Sequence, residues 1–210
     1  MKSMWDDRYQ QEAYAYGKAP NKFFASRLAT LTPGKILLAA EGEGRNAVFA
    51  ARCGWETHAF DQSSFGKEKA LRLAEEYDVA IRYEVADCMT VNYPLASFDA
   101  IGLIYAHFPA PIKSACHQRM MTFLKPGGTI IFEAFSKKHP AYQSIYPRVG
   151  GPTDPAMLFS LEEIAEDFAD LDMIECRETE TELDEGIYHI GKGSVIRFMG
   201  IKKIQGPISS

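Results

Sequence analysis

Ile36-Leu37-Leu38-Ala39-Ala40 opens onto Glu41-Gly42-Glu43-Gly44-Arg45-Asn46-Ala47, and this stretch decides the fold. The first five residues form a short run of large aliphatics, the pattern of a buried strand, and two glycines follow at once. Val48-Phe49-Ala50-Ala51 then carries apolar residues at helical spacing until Gly54, and Thr57-His58-Ala59-Phe60 is a second strand closed by Asp61. The reading is strand, glycine loop, helix, turn, strand, acid. Gly42 and Gly44 let the backbone turn tightly and let a ligand come close, since neither has a Cβ. The helix that follows aims unpaired N–H groups and a partial positive charge at the loop. Asp61, at the tip of the second strand, can accept hydrogen bonds from both hydroxyls of a ribose. A nucleoside-containing cofactor is the first expectation.

Charge bears on which cofactor. Gly42-x-Gly44-x-x-Ala47 fits the dinucleotide fingerprint in its relaxed form, which keeps a nicotinamide or flavin open. Glu41 and Glu43 flank the first glycine, however, and carboxylates beside a pyrophosphate would repel it. S-adenosylmethionine brings an ammonium and a sulfonium on an adenosine with a free ribose diol, and suits a loop fringed with acids. The plain alternative is a βαβ turn whose glutamates are simply solvated.

Length and composition fit one soluble globular domain: 210 residues, 46% apolar and 24% charged. The net charge of −5 gives no basic footprint, so nucleic acid is not an expected partner. No apolar run approaches the ~20 residues that span a membrane, and no basic-then-apolar leader opens the chain. A cytoplasmic protein is expected. Cys53, Cys88, Cys116 and Cys176 stand singly, without a C-x-x-C pair or metal spacing, so no metal is expected. Cys53, Cys116 and Cys176 read as small buried hydrophobes in a reducing compartment.

Met1 to Gly17 holds Trp5, Asp6, Asp7, Tyr9, Tyr14 and Tyr16, and reads either as an aromatic lid over a pocket or as an amphipathic helix packed on the domain. Asn21 is placed to cap a helix through Phe23, Phe24, Leu28 and Leu31. Ser63-Ser64 caps a helix from Phe65 to about Tyr77, with Leu71 and Ala74 inward and lysines outward. Ile81–Val85 is a third strand, after which Asp87 either accepts the exocyclic amine of an adenine, beside Cys88 and Met89, or serves as a turn residue. Phe98–Ile104 is a fourth strand with Tyr105 and His107 at its tip. Pro109 and Pro111 start the next helix, and Lys125-Pro126-Gly127-Gly128 turns into the apolar strand Thr129–Phe132. The stretch 137–155, with four prolines, reads as a loop that shapes a site, carrying Tyr142, Tyr146 and Arg148. Ser160 and Glu163 form a capping box for a helix to Phe168. Met173–Leu183 and Ser194–Lys203 are strands joined by the ten residues between them.

The order of elements, the loop ending in Gly44-Arg45-Asn46-Ala47, Asp61-Gln62-Ser63, Asp87, the Lys125–Gly128 turn and the terminal hairpin resemble class I S-adenosylmethionine-dependent methyltransferases. Trp5-Asp6-Asp7-Arg8-Tyr9 and Tyr16-Gly17-Lys18-Ala19-Pro20-Asn21 resemble more narrowly the tellurite-resistance group of that family. The resemblance implies an α/β Rossmann-like three-layer sandwich: a seven-stranded, mostly parallel sheet whose C-terminal hairpin strand is antiparallel. It implies a single domain over 1–210, with a helical cap (1–33), a cofactor-binding half (34–136), an active-site loop (137–159) and a C-terminal helix and hairpin (160–204). It implies S-adenosyl-L-methionine as donor and S-adenosyl-L-homocysteine as product. The candidate cofactor contacts are Tyr16, Glu41, Gly42, Glu43, Gly44, Asn46, Asp61, Gln62, Ser63, Asp87, Cys88 and Tyr105. The expected partner is a small-molecule methyl acceptor, such as a thiol, a metalloid oxyanion or another metabolite, met by a monomer or homodimer.

One departure stands out. Leu38 occupies the place of the family acid two residues before the first loop glycine, and Ala40 replaces that glycine. The methionine amine then needs another partner, for which Glu41, Glu43 and backbone carbonyls near Tyr105 are the candidates. In-line methyl transfer asks the protein for alignment and exclusion of water, with no obligatory catalytic group. If the acceptor carries a proton, His107 is the first candidate base and His189 the second, although either also reads as a structural imidazole. Tyr105, Tyr188 and Arg148 are candidates to position an anionic acceptor. Two further readings stay open: a nicotinamide-dependent oxidoreductase, and a catalytically inactive S-adenosylmethionine-binding protein.

Overall fold

The computed structural model describes residues 2–204. Strands β1 (Lys35–Ala39), β2 (Glu56–Asp61), β3 (Arg82–Val85), β4 (Phe98–Ile104) and β5 (Leu124–Phe135) run parallel. The last two, β6 (Leu171–Glu185) and β7 (His189–Lys202), form an antiparallel hairpin, and β7 pairs antiparallel with β5. The order across the sheet is β3-β2-β1-β4-β5-β7-β6. The chain reverses its direction of travel between β1 and β4, which opens a crevice beyond their carboxyl ends.

The strand run beginning at Ile36 is apolar throughout because both of its faces are covered. Ile36 and Leu38 pack into one core with Phe23, Phe24, Ala47 and Ala70, from α2 (Lys22–Leu28), α3 (Arg45–Arg52) and α4 (Ser64–Glu76). Leu37 and Ala39 pack into the other with Cys116, Met120 and Ile164, from α5 (Lys113–Phe123) and α7 (Leu161–Asp167). This alternation makes the three layers. A short helix α1 (Lys2–Tyr9) lies against α4, and α6 (Pro140–Gln143) is a single turn in the long loop.

Local signals set most boundaries. The Asn21 side chain accepts the Phe24 N–H at 2.9 Å, and Ser63 accepts that of Gly66 at 3.2 Å. Ser160 and Glu163 form the reciprocal capping box of α7.

Several expectations need correction. The Asn21-capped helix stops at Leu28, and α5 starts at Lys113 rather than at the prolines, because Pro111 bars its preceding residue from helical geometry. In α4, Leu71 is exposed and Leu73 is buried, while Lys69 is buried rather than solvated. The Lys125–Gly128 turn sits inside β5 as an irregularity, where pairing passes from Phe98↔Leu124 to Ala100↔Thr129. The terminal strands reach further than their apolar runs, so only Gly186-Ile187-Tyr188 joins them and His189 is a strand residue. Cys53, at the end of α3, is exposed, and Cys176 is half-buried; Cys116 is buried as expected.

Candidate active site

The crevice at the strand tips is a cleft with two lobes that share Trp5, Ala40, Asp61 and His107. The outer lobe is walled by Phe60, Gln62, Asp87, Cys88 and Phe108, the inner by Tyr9, Tyr16, Ile104 and Tyr105. Helix α1 roofs both lobes: the Trp5 ring lines each and stacks on Tyr9 at 5.5 Å. The two readings of the N-terminal aromatics coexist: α1 packs on α4 while Trp5, Tyr9 and Tyr16 line the cleft.

Asp61 lies where the lobes meet. Its carboxylate accepts the Gly42 N–H at 3.1 Å and the Ser63 N–H at 2.9 Å. Burial outweighs these bonds and pushes its pKa up to about 6. A buried carboxylate still short of donors, open to the cleft, fits a ribose diol. Gln62 donates to Asp87, whose other oxygen accepts the Met89 N–H at 2.8 Å, so both line the outer lobe in a set orientation. Cys88 is buried beside them, and its hydrogen bond with Cys116, followed by burial, pushes its thiol pKa up. Ser63 spends its hydroxyl on α1, donating to Asp6.

The glutamates of the glycine loop face elsewhere. Glu41 turns back onto α3 and accepts the N–H groups of Asn46 (2.8 Å) and Ala47 (2.7 Å), so it satisfies the orphan donors of that helix. Burial raises its pKa to about 7. Glu43 is buried against α4, paired with Lys69 at 2.6 Å, and accepts the Ala15 N–H at 2.8 Å. Neither carboxylate lines the cleft, so the electrostatic selection expected of them does not operate by direct contact. The glycines also serve the protein itself. A Cβ on Gly42 would stand 2.5 Å from the Tyr9 hydroxyl, and one on Gly44 2.5 Å from the Ala70 Cβ. The left-handed residue that lines the cleft is Ala40, at φ +51°, where the family carries glycine; Tyr105, at φ +53°, faces it from the tip of β4.

Asn46 is a tie rather than a wall of the cleft. Its side-chain oxygen accepts the Asn21 N–H at 2.9 Å. Asn21 in turn donates to Glu133 (2.6 Å) and Glu185 (3.3 Å), Glu133 pairs with Arg197, and Arg45 pairs with Glu185 at 3.0 Å. The motif residues Asn21, Arg45 and Asn46 thus fasten the N-terminal segment to the tips of β5 and β6.

The two histidine candidates differ. In His107, Nδ1 is 3.0 Å from the Met157 carbonyl and Nε2 accepts the Phe135 N–H at 3.4 Å, so both nitrogens are engaged. Burial drives its pKa down to about 4. It lines the cleft as a neutral wall. His189 lies between Tyr16 (4.4 Å) and Tyr105 (4.6 Å), and its Nδ1 is 3.0 Å from Glu185. Arg45 and His189 hold the Glu185 pKa down at about 2 despite burial. The Tyr105 hydroxyl is buried without a partner. Glu185 was not among the sequence candidates, because nothing local distinguishes it from the other acids of β6. Among the described residues no three His, Cys, Asp or Glu side chains could together hold a metal ion, and no helix is long and apolar enough to cross a membrane.

The fold is that of class I S-adenosylmethionine-dependent methyltransferases, enzymes whose cofactor is S-adenosyl-L-methionine. Residues 36–128, somewhat under half of the chain, match the family described as a methyltransferase domain. Among solved structures, the chain is similar to one reported as "Conversion of a Disulfide Bond into a Thioacetal Group during Echinomycin Biosynthesis", with a TM-score of 0.78 and 16% identity over 99% of this chain and 94% of that one. TehB from Haemophilus influenzae gives 0.70 and 17% over 96% and 67%. The N-methyltransferase NodS from Bradyrhizobium japonicum WM9 gives 0.64 and 12% over 86% and 93%. At these identities the likeness is one of fold. No curated protein sequence matches the chain.

Proposed function

We propose that the chain transfers the methyl group of S-adenosylmethionine to a small-molecule acceptor held in the inner lobe. The observation that carries this is the continuity of the two lobes at Asp61 and Ala40 under a single aromatic roof. The nucleoside fits the outer lobe, with its ribose on Asp61 and its adenine between Asp87 and Cys88. The bound cofactor supplies a methyl carbon made electrophilic by its sulfonium. The protein's own part is to seal and align: Trp5, Tyr9 and Tyr16 exclude water, and Tyr105 and His107 wall the space next to the transferred group. A lobe this enclosed suits a metabolite better than a folded protein.

No histidine in the cleft is poised as a base at neutral pH without losing a partner, so the acceptor is one that arrives nucleophilic, as an ionised thiol or an oxyanion does. Labelled methyl transfer against a panel of small thiols, oxyanions, amines and proteins tests this. Label in a thiol or an oxyanion supports the reading, whereas label in proteins alone would overturn the small-molecule assignment. The inactive S-adenosylmethionine-binding alternative rests on Leu38 and Ala40, and calls for S-adenosylhomocysteine to bind while no acceptor in the panel is labelled.

A further inference from the structure

Arg8 is paired unlike Arg27, Arg45 and Arg197. Arg27, Arg45 and Arg197 each hold a carboxylate, those of Glu175, Glu185 and Glu133. Arg8 holds none among the described residues. Its guanidinium lies 5.1 Å from the Trp5 ring centre and 4.5 Å from that of Tyr188, and one of its several N–H groups donates to the Tyr16 hydroxyl at 2.6 Å. Trp5 and Tyr16 are both walls of the inner lobe. A half-buried guanidinium covered on its faces by aromatic rings keeps its donors in its own plane, where a carboxylate is received in a forked pair of bonds.

We propose that Arg8, which stands behind the lining residues Trp5 and Tyr16 rather than in the lining of either lobe, is the carboxylate receptor of this cleft. The inference rests on the reading above that the cleft holds S-adenosylmethionine and a small acceptor, and either could bring the carboxylate: the cofactor in its amino-acid tail, or the acceptor in its own structure.

Calorimetric titrations of the whole protein, as wild type, Arg8→Gln and Arg8→Lys, test the proposal. The ligands are S-adenosylhomocysteine and 5′-methylthioadenosine, a nucleoside without the amino-acid tail. Benzoate and its neutral isostere benzamide are then titrated into protein saturated with S-adenosylhomocysteine. If the tail is the partner, Arg8→Gln weakens S-adenosylhomocysteine about 10- to 100-fold, Arg8→Lys recovers part of that, and methylthioadenosine is unchanged. If the acceptor is the partner, S-adenosylhomocysteine is unaffected, and benzoate but not benzamide binds the saturated wild type and fails to bind Arg8→Gln. Unchanged S-adenosylhomocysteine affinity, together with benzoate binding that is absent or equal in the two proteins, overturns the proposal. Intact methylthioadenosine binding in Arg8→Gln shows that the variant is folded. Failure of both nucleosides to bind the wild type would instead sink the cofactor reading on which the proposal rests.

Discussion

Asp61 shows how one residue ties ligand affinity to pH. Its carboxyl has a folded-state pKa of about 6 against an ordinary 3.8, so the group costs stability once it must ionise in the fold. Its contribution is therefore least unfavourable below about pH 4 and worsens as pH rises toward 6. A ribose diol donates to the ionised form, so the affinity for S-adenosylhomocysteine should rise with pH over that window and level off above it. Calorimetry across that range should find the rise in the wild type and its loss, with much weaker binding, in Asp61→Asn. Ala40 makes a second case. A Cβ at φ +51° is strained, and glycine there should stabilise the protein by roughly 1 kcal/mol, or about 2–4 °C in melting temperature for a chain of this size. An unchanged or lower melting point would show that the surrounding structure absorbs the strain.

At the scale of elements, the glycine loop is a packing joint between helices as much as a ligand loop. Gly44→Ala would press a Cβ onto Ala70 in a left-handed conformation, driving α3 from α4 at a cost of about 2 kcal/mol or more, measurable by chemical denaturation. The cap of α7 is a smaller and separate effect. Ser160→Ala should cost about 1 kcal/mol and leave nucleoside binding unchanged, since α7 lies on the other face of the sheet from the α2, α3 and α4 layer and does not line the cleft. These two helices also show why burial could not be read from residue type alone. Lys69 reads as a solvated position of an amphipathic helix, yet its ammonium is buried because Glu43 and the carbonyls of Gln11 and Ala13 converge on it.

Across the whole molecule, the N-terminal segment and the terminal hairpin meet over the cleft, and Glu185 is the fastening. It takes Arg45, His189 and Asn21 at once, and the Ile187 N–H bonds the Ala15 carbonyl close by. Glu185→Ala leaves the buried Arg45 uncompensated and should cost about 3–5 kcal/mol, with faster proteolysis between α1 and α2 as the early readout. The Glu185 pKa is depressed from 4.5 to about 2, so its share of stability is present above pH 4.5 and is lost as pH falls toward 2. The variant should accordingly lose that part of the wild type's acid-unfolding profile.

The amino-acid sequence by itself determined the strands of the parallel half, the glycine loop, the caps at Asn21, Ser63 and Ser160, and the placing of Asp61 and Asp87 at strand tips. Each depends on backbone preference and hydrophobic period within a few residues. Only the tertiary structure decided where charges go. Glu43 meets Lys69 from 26 residues away and Glu185 meets Arg45 from 140, partners that no local pattern specifies. A buried carboxylate is too costly to leave unpartnered, and Glu41 and Glu43 find their donors on α3 and α4, away from the cleft.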